Sequence, residues 1–122
     1  MREIIFRGKR VDNGKWVYGL LARVSADVSN IVEKKFDILT PIYTNTVGQY
    51  TGLTDKNGKK IFERDIVKVG TQIYMIKWNN RQSSFDFYCI NGDMQGGCNE
   101  DTLKLCEYIG NIFDNPELIK EK

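Results

Sequence analysis

VGQYTGLTDKNGKKIFERDIVKV, residues 47–69, is the stretch whose reading decides the fold. Asn57-Gly58 stands between two apolar segments, and Asn-Gly supplies the positive φ that a tight hairpin turn requires. Residues 47–53 therefore read as a strand centred on Tyr50, with Asp55-Lys56-Asn57-Gly58 as its turn and Ile61-Phe62 as the return. Glu63-Arg64-Asp65 makes a second reversal, and residues 66–69 form the next strand, with Val67 and Val69 facing inward and Gly70 closing it. The glycines and the Asn-Gly pair are thus turn formers. They lack the GxxxxGK[ST] spacing of a phosphate loop and do not open a helix.

The same alphabet extends in both directions. Residues 2–7 alternate, with Ile4 and Phe6 on one side and Glu3, Ile5 and Arg7 on the other. Asp12-Asn13-Gly14 turns the chain, and residues 15–23 return with Trp16, Tyr18 and Leu20 on one face, so the chain opens with a β-hairpin. Residues 24–46 are the least readable. Ile31-Val32 and residues 36–39 suit strands, residues 32–36 suit a short helix, and Thr40-Pro41 is expected to end either one. Downstream, residues 71–78 and 84–90 pair through Asn79-Asn80-Arg81, with Phe85, Phe87 and Cys89 sharing a face. Residues 91–97 read as an irregular loop, and residues 102–112 as a strand after one helical turn. At the end Asn115 is expected to cap, Pro116 to take the first helical position and Leu118 and Ile119 to fold back as an apolar plug. Short strands with turns every ~8–12 residues predict a mainly β fold, a small barrel or sandwich.

Composition narrows the function classes. With 122 residues, 41% hydrophobic and 28% charged, the chain can bury one core, and it has neither a disordered nor a membrane composition. No apolar run approaches the roughly 20 residues of a spanning helix, and the charged N-terminal stretch does not read as a signal peptide. Histidine is absent, which removes His-based triads, His metal ligands and the commonest proton shuttle. Cys89, Cys98 and Cys106 lack CxxC spacing and read as reduced thiols, so no metal and no cofactor are expected. Residues 1–81 carry 15 Lys and Arg against 8 Asp and Glu, and residues 82–122 carry 3 against 8, so the two stretches are +7 and −5. Such a pair suits either a nucleic-acid face or two surfaces that attract each other, within a chain or between subunits.

Three further sites compete with plain structural readings. Asn91, Asp93, Asn99, Glu100 and Asp101 do not follow the EF-hand pattern and read as solvated loop residues. Glu63 and Asp65 have the spacing of a general acid and base, but Arg64 and Lys68 are near enough to keep both ionised, and the turn reading is preferred. The third is a basic and aromatic set of Arg7, Arg10, Trp16, Tyr18, Tyr50, Lys56, Lys59 and Lys60, joined by Lys9, which suits single-stranded nucleic acid.

The opening stretch, with REIIFRGKR…GKWVYG before it and YIGNIFDNPELI at the end, resembles the YopX family of bacteriophage and prophage proteins. The likeness is collinear, with residues 24–46 and 82–103 as the variable parts. It implies an amino-terminal β element over residues 1–45 and an SH3-like barrel over residues 46–122 ending in a short helical turn. It also implies a homo-oligomer in the cytoplasm of a bacterial host, and it brings no enzymatic activity. The shared residues, Gly52, Asn57, Gly58, Asp65, Gly110, Asn115 and Pro116, look like turn and core residues. One departure stands out: the family pattern has Gly before the Asp of the second reversal, where this chain has Arg64. The expectation is a non-enzymatic binding module with a protein partner, copies of itself included; a nucleic-acid binder is the alternative.

Overall fold

A computed structural model describes residues 3–33, 35, 37–81, 83–89, 94–97 and 100–119 of the chain. Residues 91–93 of the loop read over residues 91–97, together with Cys98 and the helix start at Asn99, lie outside these residues, while residues 94–97 of that loop are a strand because they pair with residues 86–88. The strands are β1 (Phe6–Lys9), β2 (Trp16–Arg23), β3 (Val28–Glu33), β4 (Ile38–Tyr43), β5 (Gly48–Thr54) and β6 (Lys60–Phe62). They continue as β7 (Asp65–Val69), β8 (Gln72–Asn79), β9 (Ser84–Cys89), β10 (Met94–Gly97) and β11 (Glu107–Asn111), with one short helix, α1 (Glu100–Leu103). The protein is mainly β. Two antiparallel sheets have the orders β4-β3-β2-β1-β5-β6 and β10-β9-β8-β7-β11, and neither closes into a barrel. The chain divides into two compact units, Met1–Tyr50 and Thr51–Lys122.

In the first unit β1 pairs with β2 around the turn at Asp12-Asn13-Gly14, where Gly14 has φ +71°. The unreadable stretch resolves into β3 and β4, and Val32 and Glu33 belong to a strand, not to a helix. Pro41 does not end its element. It sits inside β4, opposite Asn30, because β4 is an edge strand where a missing N–H costs no ladder bond. Its free side is tied down, since Pro41 O accepts the Val11 N–H and an isolated bridge joins Arg10 to Ile42. Alternation puts Val17, Ile31 and Ile42 on the inner face, packed with Phe6, Leu21 and Val47.

The second unit is a meander, β7-β8-β9-β10, with β11 laid beside β7. Its core joins Ile61, Val67, Ile76, Phe85, Phe87, Leu103 and Cys106, and each of the large aliphatics contributes about 1.5–3 kcal/mol by leaving water. The last turn differs from expectation. A 3₁₀ turn spans Pro116–Ile119, but the Asn115 side chain does not cap it. Asn115 Oδ1 instead accepts the Asn111 N–H, while its main-chain oxygen accepts the Leu118 N–H. No residue of that turn is buried, so Leu118 and Ile119 do not form a plug.

Candidate functional site

The signature stretch is held by carboxylates. Asp55 is only 3% exposed. Its Oδ1 accepts the main-chain N–H groups of Asn57 and Lys59, and its Oδ2 accepts that of Tyr108, 53 residues further on. Gly58, at φ +81°, completes the turn by donating to Asp55 O. Burial alone would raise the Asp55 pKa; the three N–H groups and the nearby Lys59 charge outweigh it and hold the carboxyl below its ordinary value. Asp65 acts likewise at the second reversal, where its Oδ2 accepts the Phe62 N–H at 2.7 Å. Arg64 has φ +70°, a left-handed conformation that a glycine would adopt freely. Gly52 lies within β5, not in a turn, and has φ +87°.

The terminal motif closes in the same manner. Asn111 is buried, and its Oδ1 accepts from the N–H groups of Phe113 and Asp114. Gly110 has φ +156°, and a Cβ there would collide with the Asn115 amide. Asp55, Asp65, Asn111 and Asn115 therefore satisfy main-chain N–H groups at turns.

The basic and aromatic residues do not form one platform. Arg7 is buried, with its guanidinium 4.4 Å from the centre of the Trp16 ring, and Lys9 lies 5.3 Å from the same ring. Arg10 makes a bidentate pair with Asp12, whose carboxyl is lowered by that bond, and Arg10 is raised in turn. Tyr50 is 6% exposed, so its ring offers no open face to a base. Lys56, Lys59 and Lys60 are exposed on the β5–β6 turn, with Lys59 Nζ 4.8 Å from the Tyr108 ring. Tyr18 alone of the aromatic set is strongly exposed.

Tyr18 belongs to another surface. The register sets Leu20 opposite Val32 and Val32 opposite Leu39, so three apolar side chains cross β2, β3 and β4 in a row on the outer face. Leu20 is 49% and Leu39 59% exposed, and Val28 and Tyr43, also opposite each other, continue the face. A shallow depression of about 180 Å³, lined by Glu3, Ile4, Ile5, Tyr18, Gly19 and Leu20, adjoins the row. Alternation on β2 pointed to this face, but Leu39 was hidden in the stretch where strand and helix readings competed.

The second unit holds a cavity of about 260 Å³ lined by Val69, Tyr74, Phe87, Thr102, Leu105 and Cys106. Burial, with the Asp55 charge, pushes the Cys106 thiol up to about 11, so at neutral pH it is protonated and donates to Thr102 O. Among the described residues no group of His, Cys, Asp and Glu gathers as metal ligands, and no helix is long and apolar enough to cross a membrane.

The family model described as YopX protein matches residues 5–120. The chain belongs to the YopX family. No curated protein matches it. Within this YopX chain the matched region includes the Asp55 turn, the Arg64 reversal and the Asn111 closure.

Proposed function

We propose that this YopX chain is a non-enzymatic phage or prophage accessory protein that works by binding in the bacterial cytoplasm. Its partner is a protein, a second copy of itself first, and it docks on the outer face of the amino-terminal sheet. The observation that carries this reading is the apolar outer row of exposed Leu20 and Leu39 about half-buried Val32, with exposed Tyr18 beside it. Contiguous exposed apolar surface marks protein contact sites, and sheets pack face to face through such rows. Nucleic-acid binding is the weaker alternative because the rings of Trp16, Tyr88 and Tyr108 each already lie against a cation of the chain itself. The second unit reads as an open form of the SH3-like barrel. Its support is the order β11-β7-β8-β9-β10, a four-strand meander with the last strand returned beside the first after the short helix α1.

The test is light scattering at low and high salt, with absorbance at 260 and 280 nm, on the protein and on Leu20→Asp with Leu39→Asp. The expected result is a nucleic-acid-free oligomer of fixed mass that the paired substitution reduces to a folded monomer. A monomer at every concentration, or a peak whose nucleic acid strips off in high salt, overturns the reading.

A further inference from the structure

Two Asn-Gly pairs lie among the described residues, Asn13-Gly14 and Asn57-Gly58, and both asparagines are exposed. Both glycines have positive φ and open space where a Cβ would stand. The difference lies in the side-chain amides. Asn13 Oδ1 accepts the Lys15 N–H at 2.9 Å, which fixes its carboxamide. Among the described residues no hydrogen bond holds the Asn57 carboxamide; Asp55 takes only its main-chain N–H. The glycine nitrogens differ in the same sense, Gly14 N donating to Arg10 O at 2.9 Å and Gly58 N to Asp55 O at 3.1 Å. Exposed Lys56, Lys59 and Lys60 flank Asn57 in sequence, and their positive charge offsets the Asp55 carboxylate that binds its main-chain N–H.

We infer that Asn57-Gly58 is a self-modification site, converting to aspartate and isoaspartate ahead of Asn13-Gly14. Gly58 N attacks Asn57 Cγ and gives up its proton, a C–N bond forms, and the side-chain nitrogen departs as ammonia, leaving a five-membered succinimide. Water then opens one of the two ring C–N bonds, giving aspartate or, with the main chain rerouted through the side-chain carbon, isoaspartate. No oxidant and no cofactor enter. Either product removes one unit of positive charge from the Lys56–Lys60 turn. The isoaspartyl form also lengthens the main chain within the turn that Asp55 Oδ1 grips at Asn57 and Lys59. Conversion therefore loosens the tie between this turn and Tyr108 as the protein ages.

The experiment incubates the full chain at pH 8, folded and in denaturant, and follows each Asn-Gly peptide by mass and by isoaspartyl methylation. In the folded protein the Asn57 peptide is expected to convert at about ten times the rate of the Asn13 peptide. In denaturant, where only local sequence acts, the two rates are expected to converge. Asn57→Ser should remove the leading signal and leave the Asn13 peptide unchanged. Equal rates in the folded chain overturn the inference, as does an Asn57 lead that persists undiminished in denaturant.

Discussion

The two units place their apolar residues in opposite ways. Unit Thr51–Lys122 gathers seven buried side chains in one cluster, while unit Met1–Tyr50 gathers three. Of eleven exposed large apolar residues among those described, nine lie in the first unit, and only Trp78 and Leu105 in the second. Both units bury polar groups, but the buried carboxylates lie in the second. In the second unit Asp55, Asp65, Asp86 and Asn111 are buried, and each accepts hydrogen bonds there. In the first, Arg7, Ser29, Thr40 and Thr46 are buried; Ser29 and Thr44 share a bond beside the Ser25 loop, Thr46 Oγ1 accepts the Lys9 N–H, and the Arg10 pair with Asp12 is on the surface. The first unit thus combines a small inner core with an apolar outer face, the surface on which the proposed docking rests. The second unit instead buries its carboxylates against donors of its own chain.

The sharpest way to break this contrast is Asp55→Ala. It leaves three main-chain donors without their acceptor and is expected to cost about 3 kcal/mol, lowering the second unit's melting temperature by ~10–20 °C. The pH dependence gives a second reading of the same residue. Because the folded carboxyl lies below its ordinary value, its contribution is fully present above the unfolded pKa of about 3.9 and is lost as pH falls through the lower folded value. Asp55→Asn should remove that acid-side loss, measured by thermal unfolding from pH 7 down to pH 2. An acid profile identical to the parent's would show that the carboxylate does not hold the turn.

Gly110→Ala comes next, at about 2 kcal/mol, because a Cβ there meets the Asn115 amide and displaces it from Asn111 N. Chemical denaturation should show a lower midpoint with the slope unchanged. The smallest effect has the opposite sign. Arg64→Gly relieves a left-handed residue, and because the glycine also loosens the unfolded chain, the net gain is about 0.5 kcal/mol. The Arg64–Glu63 contact is long, at 3.9 Å, and partly open to solvent, too weak to reverse that sign. A destabilised Arg64→Gly would show that the arginine side chain contributes more than its backbone strain costs.

Local chemistry by itself determined the turns and most strands. Asn-Gly, the Asp12-Asn13-Gly14 turn and the Glu63-Arg64-Asp65 reversal are short-range signals, since φ preferences and side-chain bonds to the next few N–H groups act over about four residues. The same short range explains why Asp55, the central residue of the signature, could be read only as part of a turn. Its bond to Tyr108 spans 53 positions, and no local pattern carries that distance. Residues 24–46 were ambiguous because Pro41 breaks a helix or an interior strand yet is tolerated at an edge, and which strand is an edge is decided by the whole sheet. The candidate surface divides in the same way. Alternation set Trp16, Tyr18 and Leu20 on one face, but only the assembled sheet buried Arg7 and Tyr50, laid Arg7 against Trp16, and brought Val32 and Leu39 into line with Leu20. Which way a side chain points is a matter of period and is written in the sequence. What lies opposite it, and whether water reaches it, depends on strand order and register, which exist only once distant segments have paired.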